Sequence, residues 1–361
     1  MTAARPTPIG PPDAATVPRY VNATTFARLP RLDQVGRADI VVAGVPFDSG
    51  VTYRPGARFG PNHVRQSSML LRPYHPMLDI APLTDFQIAD AGDFAVNPFS
   101  MDSTIESITN GARELISGGA RLMTIGGDHS IAFPLLKATA EQHGPLAVVH
   151  FDAHLDTWDI DFGSCHSHGT PFRRAAEAGY TLRENCLHVG IRGPQFEKED
   201  LAADADLGFQ IVWGEWFDEL GIKGVIARMR ERLGDHPVYV SVDIDVLDPA
   251  FAPATGTPEA GGFSSRELLA LINGLAGLNV VGADLVEVAP AYDHAEITGI
   301  AAARIAYELI SVMAVDLHQR ATVAEFAEAT PAEVTEAVIA EVGAGGSSPV
   351  AGDMPFAAVE R

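Results

Sequence analysis

Eight short runs rich in β-branched residues, separated by longer helical patterns, restrict what this chain can become. They are "ADIVVAGVPF", "FQIADAG", "ARLMTIGG", "PLAVVHF", "CLHVGIR", "FQIVW", "PVYVSVDID" and "NVVGADLVEV". Strands that alternate with helices form β-α units and a mainly parallel sheet, so the fold class is α/β. Eight strands suffice for a doubly wound sheet or a closed barrel. Helices are predicted near 61–71, 103–117, 130–142, 171–178, 216–233, 264–274 and 297–320, several opened by Asp, Ser or Thr in a capping position. No internal repeat is evident.

At 361 residues and 47% hydrophobic content the chain can bury a sizeable core. Its ends read differently from its middle. Residues 1–20, rich in Pro and small residues, form an extended N-terminal arm; residues 21–321 form the main domain; residues 322–361 form a C-terminal extension. In that extension "PAEVTEAVIAEV" puts Val334, Val338, Ile339 and Val342 at helical spacing, and "GAGGSSPVAGDM" reads as linker. No apolar run reaches the ~18 residues of a membrane helix and no hydrophobic segment follows Arg5, so a cytoplasmic protein with no membrane partner is expected. Asp and Glu outnumber Lys and Arg by 47 to 25, which disfavours nucleic acid and weakly favours small cations. Cys165 and Cys186 are too few for a disulfide framework and read as reduced thiols.

The chemistry starts at "VVHFDAHLDTW", where Asp152, His154 and Asp156 follow an apolar run at alternate positions. In extended chain, side chains at i, i+2 and i+4 project to one side and can converge. "VSVDIDVLDP" repeats the device with Asp243 and Asp245, and "TIGGDHS" leaves His129 past a third strand. Open α/β sheets place ligands beyond strand carboxyl ends. Singly, each motif has a plainer explanation: a capping Asp beside a satisfied His, a turn in which Asp128 or Ser130 caps a helix, a solvated acidic turn. Jointly they gather two imidazoles and four carboxylates, with no Lys or Arg inside the D-x-H-x-D or D-x-D cores. Such carboxylates must be partly protonated or share a cation. Six ligands exceed one tetrahedral zinc and suit two octahedral ions. The oxygen-rich, thiolate-free set favours Mn²⁺, with Ni²⁺, Co²⁺ and Fe²⁺ also matching the ligand types. Two such ions ~3.5–4 Å apart clamp a bridging hydroxide at near-neutral pH.

"GGDHS", "DAHLD" and "SVDIDVLDP", in this order, resemble the ureohydrolase family of arginases, agmatinases and related guanidino-compound hydrolases. The resemblance extends to "GVPFDSGVTYRPGARFGP", "HGTPF", "GTPEAGG" and "DLVEVAPAYD", covers roughly residues 18 to 320, and is closest to the agmatinase and guanidino-acid hydrolase branch. It implies a three-layer α/β/α arginase-like fold with a mostly parallel eight-stranded sheet, two Mn²⁺ ions, and a homo-oligomer, trimer or hexamer. Position by position it implies that His129, Asp152, Asp156 and Asp243 hold one metal and Asp152, His154, Asp243 and Asp245 the other. By the same resemblance His168 is a proton shuttle, Glu287 pairs with the guanidinium, and residues 21–321 are the catalytic domain. Asp156 is then in reach of the hydroxide and relays its proton to the leaving amine.

The implied reaction hydrolyses a small cationic guanidino compound to urea and an amine, agmatine to putrescine first among them. For an amine tail Asp159 or Asp161 is the expected partner; for a carboxylate tail, as in 4-guanidinobutyrate or 3-guanidinopropionate, Arg54, Arg58 or His166 is. Guanidine itself or a biguanide needs neither. Here "SCHS" departs from the agmatinase-like pattern, which commonly has Tyr or Ile at the place of His166. A binuclear metallophosphatase would need a G-N-H-D/E segment, which the sequence lacks. Formiminoglutamate hydrolysis would yield formamide instead of urea. An inactive or regulatory subunit in a mixed oligomer with a paralogue would show lost ligands, yet every ligand position is filled.

Overall fold

The computed structural model describes residues 6–21 and 24–328. The helix expected in 331–342 lies outside the described residues, as do residues 1–5 of the arm. By compactness the chain divides after Asp316 into two units; the first carries the sheet, and the last turns of the final helix fall in the second.

All eight predicted strands form: β1 (Ile40–Val45), β2 (Ile88–Asp93), β3 (Arg121–Gly126), β4 (Leu146–Phe151), β5 (Thr181–Ile191), β6 (Phe209–Trp213), β7 (Val238–Asp243) and β8 (Val280–Val286). They make one sheet in the order β2-β1-β3-β8-β7-β4-β5-β6, with every pairing parallel. The arrangement is therefore open rather than a barrel. β1, β3, β4, β7 and β8 are buried along their whole length, whereas the edge strands β2 and β6 are partly exposed. That is why the central runs read as continuous apolar stretches: both faces are covered.

The helices are α1 (Leu32–Val35), α2 (Gly60–Ser67), α3 (Pro82–Asp85), α4 (Met101–Ile116), α5 (Ala132–His143), α6 (Pro171–Glu177), α7 (Glu199–Leu207), α8 (Phe217–Leu233), α9 (Ser265–Asn273) and α10 (Ile297–Glu328). α4, α5 and α6 pack side by side on the sheet, and α8 packs on β5 and against α9. Local chemistry sets several starts. Ser100 accepts the Ser103 N–H, and Ser264 forms a reciprocal capping box with Glu267. The sequence pattern omits α7 because "EDLAADADL" lacks an apolar stripe; among its residues Asp204 is the buried one. Among the described residues no helix is long and apolar enough to cross a membrane.

Three chain segments meet at Gly127. Its N–H donates to the Val45 carbonyl at 2.9 Å, its own carbonyl accepts the Glu287 N–H at 2.8 Å, and the Asp128 N–H reaches the Phe47 carbonyl at 2.8 Å. A Cβ there would stand 2.0 Å from the Phe47 carbonyl oxygen and 2.7 Å from that of Val45. Backbone cannot yield as a side-chain tip does, so Gly127→Ala should cost at least the ~1–3 kcal/mol of an overpacked core site. Urea denaturation checks this, and a midpoint equal to wild type would show that the three segments are less tightly tied than they look.

Candidate metal centre

β3, β8, β7 and β4 are consecutive neighbours in the middle of the sheet, and all point their carboxyl ends the same way. At or just past those ends come His129, Glu287, the pair Asp243 and Asp245, and the trio Asp152, His154 and Asp156. One local device recurs. The Asp152 Oδ1 accepts the His154 N–H at 2.6 Å and the Asp243 Oδ1 accepts the Asp245 N–H at 2.8 Å. Each aspartate bonds the backbone two residues on, folding the chain as it leaves the strand. The Asp245 Oδ1 accepts the Ala153 N–H at 3.2 Å, which ties the two loops together.

The six predicted ligand residues are brought together. His129 Nδ1 lies 3.1 Å from Asp152 Oδ2, 2.9 Å from Asp156 Oδ2 and 3.3 Å from Asp243 Oδ2. His154 Nδ1 lies 3.4 Å from Asp152 Oδ1 and 3.1 Å from Asp245 Oδ2. Two overlapping groups can each hold an ion, one containing His129, His150, Asp152 and Asp156, the other Asp152, His154 and Asp245. The cluster is buried, with only His154 at intermediate exposure.

His129 supplies the test of fit. Its Nδ1 is buried among three carboxylate oxygens yet aligned in a hydrogen bond with none. The Ser241 hydroxyl donates to Asp284 Oδ1 at 2.6 Å and so faces His129 Nε2, at 2.9 Å, with a lone pair. That engages Nε2 and leaves Nδ1 as the ring atom on the carboxylate side, the orientation a metal ligand requires. Oxygen and imidazole donors in this ratio fit two divalent ions.

Without a cation the cluster is electrostatically frustrated. Burial, then Asp245 and Asp152, pushes Asp243 well above the usual carboxylate range. Burial and Asp152 raise Asp156, and the same causes bring Asp245 up to about 6. Against burial, neighbouring carboxylates lift His129 and His154 well above an ordinary imidazole. Asp152 alone is held well below its range, because three histidines outweigh its burial.

Beside this cluster, Glu287 follows β8 with φ at 63°, and Asp156 has φ at 53°. Both are non-glycine residues in the left-handed region, a strain that persists only where the surroundings over-determine it. The Glu287 Oε1 accepts the His129 N–H at 2.9 Å and lies 3.2 Å from His168 Nδ1; its Oε2 is buried with no partner. His168 Nε2 lies 3.2 Å from the Thr52 nitrogen and 2.8 Å from its hydroxyl, while Nδ1 faces Glu287. Although burial lowers it, Glu287 raises His168 to about 9, far from the unperturbed value expected of a free shuttle.

The tail-reading candidates are mostly engaged elsewhere. Arg58 pairs with buried Asp48, and Asp159 lies 2.5 Å from Arg174. Asp161 accepts the Ser167 hydroxyl at 3.0 Å. His166 rests 5.5 Å from the Phe133 ring, and burial and Arg174 lower its basicity. The Arg54 guanidinium lies 5.6 Å from the Tyr53 ring and 5.2 Å from Tyr292. Sequence reasoning missed Glu259, whose carboxylate is 3.9 Å from His154 Nε2, and missed His150, which bonds Asp152 Oδ2 at 2.7 Å. The alternation that singled out Asp152 and His154 extends backwards to His150 and could have found it.

Comparison with known proteins agrees with this geometry. The profile of the Arginase family matches residues 38–311. Proclavaminate amidinohydrolase of Streptomyces clavuligerus is 45% identical over 300 residues, covering 82% of this chain and 95% of that one. Its solved structure superposes with a TM-score of 0.79 at 43% identity, covering 83% of this chain and 100% of that chain. The mitochondrial agmatinase of Gallus gallus is 40% identical over 303 residues, with 84% and 89% coverage. Guanidinopropionase of Pseudomonas aeruginosa is 41% identical over 305 residues, with 84% and 96% coverage.

A pH dependence follows from the frustration. Asp243, Asp245, Asp156, His129 and His154 all hold protons more tightly folded than unfolded. Their contribution to stability is complete at low pH and is lost as pH rises through their folded values, about 6 for Asp245; Asp152 opposes them. The metal-free protein should therefore lose stability, relative to the Mn²⁺-saturated protein, between about pH 5 and pH 8, and Mn²⁺ binding should release protons to the buffer. Urea unfolding with chelator and with Mn²⁺ measures the difference. A gap that narrows as pH rises would contradict the charge balance drawn here.

Proposed function

This chain belongs to the arginase family, a hydrolase acting on amidino C–N bonds, and from that premise we propose that it releases urea from a small cationic guanidino compound, agmatine first, leaving putrescine. The observation that carries the reading is the free Oε2 of Glu287, buried and unpartnered beside the His129, Asp152 and Asp156 cluster. A buried carboxylate oxygen without a donor is costly, and a guanidinium offers the N–H groups that would satisfy it.

Two metals of the family's binuclear kind, proposed as Mn²⁺ on His129, Asp152, Asp156 and Asp243 and on Asp152, His154, Asp243 and Asp245, would supply Lewis acidity that ionises water near neutral pH. The rest is assigned to the chain. Glu287 would clamp the planar cation through charge-assisted bonds and hold its carbon at one point. Asp156, held at φ 53° within the cluster, would receive the water's proton and pass it to the leaving amine. His168, bonded to Glu287 on one side and to Thr52 on the other, would carry the water's other proton, the one lost on ionisation, to the outside.

The candidate tail readers of both kinds are committed, Arg58 to Asp48 and Asp159 to Arg174, so the preference for agmatine rests on the charge left beside the cluster. Glu259 by contrast leaves acidic surface next to His154. Residues 21–321 are proposed as the catalytic domain, working in a homo-oligomer of three or six copies.

Urea release by the Mn²⁺-loaded protein across agmatine, 4-guanidinobutyrate, 3-guanidinopropionate, arginine, guanidine and a biguanide tests the reading. Agmatine should give the highest kcat/KM, and a preference for either guanidino acid would overturn the assignment of the tail. Glu287→Gln should leave metal content intact and lower kcat/KM by about 30-fold or more, the equivalent of the ~2 kcal/mol minimum for breaking a buried charge pair. Turnover equal to wild type would remove Glu287 from the clamp.

A further inference from the structure

Behind the metal cluster lies a row of polar groups that the proposed reaction does not use. His150 on β4 and His188 on β5 are directly paired across the sheet. His150 Nε2 is 2.7 Å from Asp152 Oδ2, His150 Nδ1 is 2.7 Å from His188 Nδ1, and His188 Nε2 is 3.0 Å from Asp204 Oδ1. The same Asp204 oxygen accepts the Thr157 hydroxyl at 2.8 Å, one residue after Asp156. The path thus leaves Asp152, crosses two strands to α7, and returns to the chain beside Asp156.

This row is sealed from water. Both imidazoles are fully buried, Phe172 packs 4.1 Å from the His150 ring and Phe209 stacks 4.2 Å from that of His188. Although burial raises it, Asp204 is kept below the usual carboxylate range by His188 and Thr157. Its other oxygen, Oδ2, is buried with no partner. A core built for stability alone would fill this space with apolar side chains at no such expense.

We propose that Asp204, His188 and His150 are positioning residues that fix the Asp152 carboxylate, and through Thr157 the turn bearing Asp156, in the geometry that two metals require. The inference rests on the metal reading above. A donor on Asp152 Oδ2 fixes the carboxylate's plane, so that Oδ2 faces His129 and Oδ1 faces His154. Partners of this kind behind a ligand change metal affinity by about 10–100-fold when removed.

The test measures Mn²⁺ affinity of the full chain by competition with a fluorescent chelator, the visible spectrum of the Co²⁺-loaded protein, and the unfolding midpoint without metal. His188→Leu should weaken Mn²⁺ binding by about 10-fold or more and alter the Co²⁺ bands, with the metal-free midpoint unchanged or higher. His188→Asn, whose amide can still meet His150 Nδ1, should recover most of the affinity. Two Mn²⁺ bound as tightly by His188→Leu as by wild type would overturn the relay, and so would a fallen midpoint with unchanged affinity and spectrum. Should His188→Leu fail to fold, the isosteric Asp204→Asn decides: weakened affinity supports the relay and wild-type affinity overturns it. A wild-type protein that binds no Mn²⁺ would instead defeat the metal reading itself.

Discussion

Four carboxylates brought within a few ångströms of one another, in a buried site whose nearest cationic partners are imidazoles, set the problem that the rest of the structure solves. Like charges at about 4 Å repel by several kcal/mol at the effective dielectric of a protein. The chain cannot relieve this by letting the loops spread, because each aspartate is fastened at its root. Asp152 and Asp243 bond the backbone two residues on, and Asp245 bonds the neighbouring loop. Arg192 braces the outside of the loop that follows β7, donating to the carbonyls of Asp245 at 2.6 Å and Glu259 at 2.8 Å. Its charge is spent on backbone, which stiffens the loop while leaving the carboxylates themselves available to cations.

The sheet makes this fastening affordable. Four consecutive central strands, buried on both faces, deliver the groups from a platform that cannot shear without breaking parallel ladders on each side. Strain is then stored at two points only of the cluster, Asp156 and Glu287, each with positive φ. The Glu287 N–H donates to the Gly127 carbonyl at 2.8 Å and the Asp156 carbonyl accepts the Phe172 N–H at 3.3 Å, so the surrounding backbone holds both residues in place. Those are also the two residues assigned to the guanidinium and to the proton, where a group aimed in advance avoids reorganisation during reaction.

What the amino-acid order makes legible follows the same division. All eight strands were readable because central parallel strands are written as continuous apolar runs, and the ligands were readable because alternation after a strand leaves few geometries open. α7 was not, since a short helix with one buried residue, Asp204, has no periodic stripe to show. His188 was hidden for the opposite reason. It lies inside an apolar strand run, where a single histidine reads as core, and only the pairing of β4 with β5 joins it to His150, which the alternation before Asp152 already marks. Tail partners were the least legible: charge at Arg58 and Asp159 looked available, but Asp48 and Arg174 already use it.

That last difference bears on how substrate choice is built into such a protein. The group proposed to meet the guanidinium is rooted at a strand end, whereas the candidate tail readers lie in segments such as 52–58 and 158–166, most of which are outside regular elements and carry their own ion pairs and ring contacts. A change in those segments alters which tail fits without disturbing the four-strand platform. Relatives named for agmatine, for guanidinopropionate and for proclavaminate stand at 40%, 41% and 45% identity to this chain, a spread too narrow to follow substrate. On the proposed reading the tail preference would lie with a few loop side chains and their partners, and Arg58, released from Asp48, would be a different residue from the one seen here.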